Sequence, residues 1–166
     1  MRARLHEMYQ LAAAVDQESQ IEMLHSMRIA VRRLRYTLEL LQEGYTEAGE
    51  AEAVQNALQA SRGLQDVLGS IHDADLMVPR LTGQLGMLLK PGVGNEHGGQ
   101  PAAGVELVDW EACQGLLTTC MTIAEERKNS FVNLQSLWRQ HRQNQVYETL
   151  QRLCSKEEEY DETERR

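Results

Sequence analysis

Phenylalanine occurs once and cysteine three times in this chain of 166 residues, and these scarcities set the first limits. Three cysteines cannot build the dense disulfide framework of a small secreted domain. Two of them, Cys113 and Cys120, fall on one predicted helix, about 10 Å apart along its axis at 1.5 Å per residue, too far for a disulfide. They are expected to be reduced core residues of a cytosolic protein. No stretch of about eighteen apolar residues occurs, and the opening MRARLHEMYQLAAAVD lacks the long apolar run of a signal peptide, so no membrane partner is expected. Positive charge is not in excess either. The net charge is -8, which argues against a general nucleic-acid binder, whose affinity comes largely from phosphate neutralisation. A glycine-rich phosphate loop, a serine elbow and a paired-carboxylate signature are also missing, so the sequence calls for neither catalytic machinery nor a cofactor.

What is abundant is helical: Leu, Ala, Gln, Glu and Arg dominate, and the length suits one domain with a real core. The expected fold is all-α, an antiparallel bundle of about five helices. The most informative segment is Leu24 to Leu41. Leu24, Met27, Val31, Leu34, Leu38 and Leu41 recur at spacings of three and four, the seam of a helix buried on one side. Shifted by one position, the register reads His25, Arg28, Arg32, Arg35, a column about 100° around the helix from the seam. Like charges at these spacings repel, so helix stability gives no reason to stack them, with Arg33 also nearby. Residues 24 to 36 hold four arginines and no acid, whereas Ser155 to Arg166 holds six acids against three bases. The result is a local basic site on an acidic protein, and an anion is the expected partner.

Around this segment the chain divides readily. A short helix is predicted from Arg2 to Val15, the ridge helix from about Ser19 to Glu43, and a third from near Thr46 with the inner stripe Ala53, Ala57, Ala60, Leu64, Val67, Ile71. Gly69 weakens that helix, Ser70 and Asp73 have the spacing of a capping box, and Pro79 can kink it, so a bend or a break followed by a fourth helix to Leu89 is expected. Residues 90 to 105, rich in glycine with two prolines, read as a mobile loop. Asp109 is a good cap for the last long helix, whose seam is Cys113, Leu117, Cys120, Ala124, Arg127, Phe131, Leu134 and Trp138. Arg127 sits in a core-register slot, where it either snorkels or pairs with an acid, or else joins the basic column. The domain is expected to span residues 1 to 154, with 155 to 166 a charged, disordered tail.

Two motifs carry a resemblance. His25-x-x-Arg28-Ile29-x-x-Arg32-Arg33-x-Arg35-Tyr36-x-x-Glu39, followed by Leu64-Gln65-Asp66-Val67-Leu68-Gly69-x-x-His72-Asp73-Ala74-Asp75, resembles the conserved histidine α-helical domain family, abbreviated CHAD. The resemblance implies a bundle of long helices that binds inorganic polyphosphate without catalysis through His25, Arg28, Arg32, Arg33 and Arg35. Arg62, Arg127 and Lys128 are further candidates, and Tyr36 and Glu39 match positions for packing and ion pairing. Family members are usually two similar bundles, each with a basic motif. This chain has one copy, of the second-half kind, so it resembles a half-length member, a fragment, or a protomer that completes its site as a homodimer. A cytoplasmic location, in association with polyphosphate granules, follows from the same resemblance.

Physics agrees with that implication. Polyphosphate carries about one charge per unit, and forked guanidinium groups one 5.4 Å helical turn apart can follow an extended anion, with His25 adding a pH-dependent contact. A metal site is the enzyme-class alternative: Glu22-x-x-His25 has the spacing of the helical di-iron motif, and His72, Asp73 and Asp75 could add ligands. A second Glu-x-x-His is missing and Arg28 would put a cation beside the metal, so His72 reads instead as a cap or core-edge residue. The structural alternative pairs the column with Asp66, Asp73 and Asp75. A third reading is a helical adaptor or scaffold whose basic face meets an acidic protein or an RNA backbone.

Overall fold

Apolar residues spaced three and four apart can leave water only by packing against other helices, and in the computed structural model of the chain they do. The structure describes residues 1–45, 47–89 and 109–164, with side chains as far as Ser155. Five α-helices and two short 3-10 turns make up these residues, and no strand occurs among them. The helices are α1 (Arg2–Gln10), α2 (Ile21–Leu41), α3 (Ala48–Leu88), α4 (Trp110–Gln143) and α5 (Val146–Glu164), with the 3-10 turns at Ala12–Asp16 and Gln42–Gly44. The expected mobile loop at 90 to 105 lies outside the described residues. The end expected to be disordered is helical backbone to Glu164, while its side chains after Ser155 also lie outside the description.

Two compact units form, Met1–His72 with Asn129–Arg166, and Asp73–Lys128. The first holds the main core. Leu24, Met27, Val31, Leu34 and Leu38 of α2 are buried there with Leu5 and Met8 of α1, Leu58, Leu64, Leu68 and Ile71 of α3, Leu134 and Trp138 of α4, and Leu150 of α5. Fully burying one such side chain stabilises by about 1.5–3 kcal/mol, so α2 is held by packing and not by helix propensity. Leu41, the last position of the seam, is only half-buried, where α2 gives way to a 3-10 turn. α2 and α3 run antiparallel, with His25 beside His72 and Arg35 beside Gln65.

Residue by residue, the expected α3 stripe needs adjustment: Ala57, Leu64 and Ile71 are buried, whereas Ala53, Ala60 and Val67 are half-buried. Of the two alternatives, a bend or a break, the break does not occur. α3 is continuous through Gly69 and contains Pro79 within it, so the separate fourth helix is the second part of α3. Packing outweighs the weak propensity at Gly69, whose flanking residues Leu68 and Ile71 are each about 1% exposed, and Ser70 donates to the Asp66 carbonyl instead of capping a new helix.

The second unit, taken by itself, consists of the end of α3 and the start of α4 in its described residues. Ala74, Cys113 and Cys120 are buried. The α4 seam is only partly covered, with Leu117 51% exposed and Ala124 open to solvent, because two helical segments cannot enclose a full stripe. Asp109 caps α4 as expected, its Oδ1 accepting from the Ala112 amide at 2.9 Å.

Between α4 and α5 the chain turns at Asn144 and Gln145, and Gln145 adopts φ 51°, the left-handed conformation that favours glycine. Gln145→Gly should therefore raise stability by about 1 kcal/mol, measured by urea denaturation; a loss of stability would show that the Gln145 side chain contributes more than its backbone costs. A second test concerns His141, which is 3% exposed and whose burial lowers its pKa to about 4. Its folded-state value lies below the ordinary one, so the native state resists a proton that the unfolded chain accepts. Stability is unaffected above about pH 6.5 and is lost as the pH falls from there toward 4. Relative to His141→Leu, the native chain should lose up to about 3 kcal/mol between pH 7 and pH 4; parallel stability curves would show His141 to be solvated.

Candidate anion-binding site

The buried seam of α2 dictates where its cations point. With Leu24, Met27, Val31 and Leu34 inward, the next register places His25, Arg28, Arg32 and Arg35 in a line along the edge of the core. His25, Arg28 and Arg35 are half-buried and Arg32 is exposed. The structure thus brings four of the five principal candidates onto one face.

The two ends of this column are tied to α3. His25 Nδ1 lies 3.2 Å from His72 Nδ1, with ring centroids 4.6 Å apart. One ring must donate and the other accept, which two neutral imidazoles, or one neutral and one protonated, can satisfy. Two protonated rings would present donor to donor and repel. At the other end Arg35 Nε donates to Gln65 Oε1 at 2.7 Å and Nη1 to Glu39 Oε1 at 2.5 Å. Its guanidinium also sits 4.4 Å from the Tyr36 ring centroid, within cation–π range.

Arg62 reaches the same Glu39 oxygen at 3.3 Å, so Glu39 holds two guanidiniums at once. Between the anchored ends, Arg28 and Arg32 form no hydrogen bond or ion pair with any described residue. On α3, Gly69 shares a helical face with Gln65 and His72, and a Cβ there would meet nothing within 4 Å. The surface of α3 that adjoins the column is therefore open at Gly69.

Arg33 points elsewhere. It donates to Glu7 of α1 at 2.6 Å, and Arg4 reaches the same carboxylate at 3.0 Å. Hydrogen bonds from Arg4, and then from Arg33, hold the Glu7 carboxyl below its usual range. Arg127 and Lys128 belong to the second unit. There Arg127 Nε donates to Asp75 Oδ1 at 2.6 Å, with 15% and 8% of the two side chains exposed, and Lys128 is exposed. Of the acids expected to neutralise the column, Asp75 is thus engaged by Arg127, and Asp66 is exposed without an ion pair among the described residues. The acid that does meet the column is Glu39, on its own helix.

Sequence reasoning left two contributors unassigned. His72 reads as a cap or core-edge residue from its position, yet it pairs with His25, and Gln65, though part of the second motif, was given no role. The available clue was their spacing, since Gln65 and His72 lie seven apart, two turns along one face of α3.

Residues 1–82 match the family model of the CHAD domain. The match contains α1, α2, the column and its α3 partners Gln65 and His72. It is partial in length, as a half-length CHAD member gives. CHAD domains bind polyphosphate in general terms and are generally non-catalytic. Arg127 and Lys128 fall outside the match. No curated protein and no solved structure matches the chain. Among the described residues no helix is long and apolar enough to cross a membrane, and no three His, Cys, Asp or Glu side chains gather as a metal-ligand set.

The Arg127–Asp75 pair has a measurable consequence for stability. Arg127→Ala leaves a buried carboxylate uncompensated and should cost about 3–5 kcal/mol, read by chemical denaturation. A loss below 1 kcal/mol would mean that Asp75 relaxes into solvent.

Proposed function

We propose that the chain binds inorganic polyphosphate without catalysis along the α2 column, with Arg28 and Arg32 as the principal contacts and His25 and Arg35 at the two ends. The observation that carries this reading is the contrast along the column. Arg35 is satisfied within the protein, while Arg28 and Arg32 have no acidic partner among the described residues. Guanidinium groups kept apart from carboxylates, at the edge of a core and one turn apart, favour an extended anion, which offers oxygen acceptors at successive positions along the helix. The CHAD match supports polyphosphate as that anion. Arg33 and Arg62 are engaged by Glu7 and Glu39 and take secondary parts. On this reading the chain would be found in the cytoplasm, where polyphosphate collects in granules.

Titration calorimetry with polyphosphate of defined length tests the proposal. Arg28→Ala and Arg32→Ala should each weaken binding by about 1–3 kcal/mol with little change in melting temperature. Arg35→Ala should lower both affinity and stability, and Arg142→Ala, on α4, should change neither. The log–log dependence of affinity on salt should have a slope of roughly -2 to -4, by the per-phosphate coefficients of nucleic acids. Equal affinity in all four variants overturns the assignment of the site. Mixed-sequence RNA that outcompetes polyphosphate at equal phosphate concentration would instead favour an adaptor with a generic basic face.

A further inference from the structure

A second recess lies within the first unit, away from the α2 column. It is a cleft of about 470 Å³ lined by Asn56, Gln59, Ala60 and Gly63 of α3, Leu137, Gln140 and His141 of α4, and Asn144 and Val146 at the turn into α5. Its size is in the range of small-molecule sites. Among the described residues no charged side chain lines it. Four carboxamides, Asn56, Gln59, Gln140 and Asn144, are exposed along it, whereas Ala60, Gly63 and Leu137 are half-buried and His141 and Val146 are buried.

His141 is the telling residue. It is 97% removed from solvent, being 3% exposed, yet neither its Nδ1 nor its Nε2 has a hydrogen-bond partner among the described residues. A buried polar group without a partner costs stability, and because both nitrogens are closed to water as the ring stands, a guest in the cleft would meet them only by drawing the ring edge toward it. Trp138 lies nearly parallel to the ring at 5.4 Å and Tyr9 lies at 5.7 Å, so the ring contacts are aromatic and apolar. Burial keeps the imidazole neutral at physiological pH, so it offers one donor and one acceptor and no charge to draw a phosphate.

We propose that this cleft is a binding site for an uncharged planar heterocycle of the nucleobase class. A carboxamide presents a donor and an acceptor side by side, the pattern that pairs two-pronged with the edge of a base. Four of them around an apolar floor recognise edges while Ala60 and Gly63 leave the space for a flat ring. An anion is disfavoured, because nothing in the lining would neutralise it. The site is therefore chemically separate from the column of α2, and neither proposal depends on the other.

The test titrates the full chain with adenine, guanine, cytosine and uracil, following the His141 ring protons by NMR and binding by calorimetry. At least one base should bind saturably and shift the His141 resonances. Two variants then locate it. Gly63→Ala is accommodated in the fold, since the added Cβ would approach Leu137 Cδ1 at 3.8 Å, an ordinary contact, but it fills the floor and should weaken binding at least tenfold. Gln59→Leu keeps the volume and removes one hydrogen-bonding edge, and it should weaken binding several-fold while the circular dichroism of the chain is unchanged. Absence of a saturable shift with all four bases would mean that the cleft takes no base, and equal binding by the native chain and both variants would place the ligand elsewhere; either result overturns the proposal.

Discussion

The burial of one stripe on α2 is the constraint on which the column depends. Five seam residues, Leu24, Met27, Val31, Leu34 and Leu38, are each 2% exposed or less. At about 1.5–3 kcal/mol per side chain their burial far exceeds the few tenths of a kcal/mol by which like charges one turn apart repel. The helix can therefore carry His25, Arg28, Arg32 and Arg35 in a line that its own electrostatics would disfavour. Any rotation of α2 that spread the cations would expose leucines, so the column is held in place by the core behind it.

The acidic balance of the chain shapes how this column acts. With a net charge of -8, the protein as a whole repels polyanions at long range, but at physiological salt that repulsion is screened beyond about 8 Å. Close contacts therefore decide binding, and these differ along α2. Glu39 holds Arg35 and Arg62, and Glu7 holds Arg33. Those carboxylates order the flanking guanidiniums but also reduce their attraction for a ligand. Arg28 and Arg32 keep their full charge, so free energy available for an anion is concentrated in one turn at the middle of the column.

Much of this was legible in the sequence because it follows from periodicity. The spacing of the α2 seam gives both the buried face and the register of the column, and Asp109 announces the start of α4. Local signals were indecisive where tertiary packing overrides them. Gly69, Ser70 and Pro79 together left a bend or a break open, and α3 runs unbroken, with Leu68 and Ile71 buried next to the glycine. Partnerships across helices were the least legible. Whether Asp75 meets Arg127 or an arginine of α2 depends on which helices adjoin, which no spacing within one helix encodes, and the same holds for His72 and His25.

α3 shows how one helix can serve two chemistries. Gln65 and His72 face α2, where neighbouring groups are cationic, while Asn56, Gln59 and Gly63 face a cleft walled by amides and a neutral imidazole. The difference lies in how each site treats charge. The column leaves guanidiniums accessible to water, which costs little until an anion replaces their hydration. The cleft instead buries a histidine in the neutral state, because a charged ring among Trp138, Tyr9 and Leu137 would be penalised by desolvation. If the column takes a phosphate chain and the cleft a flat neutral ring, as proposed, each guest gains at its own site and nothing at the other. Selectivity between the two proposed sites would then follow from desolvation, without any need for them to differ in shape.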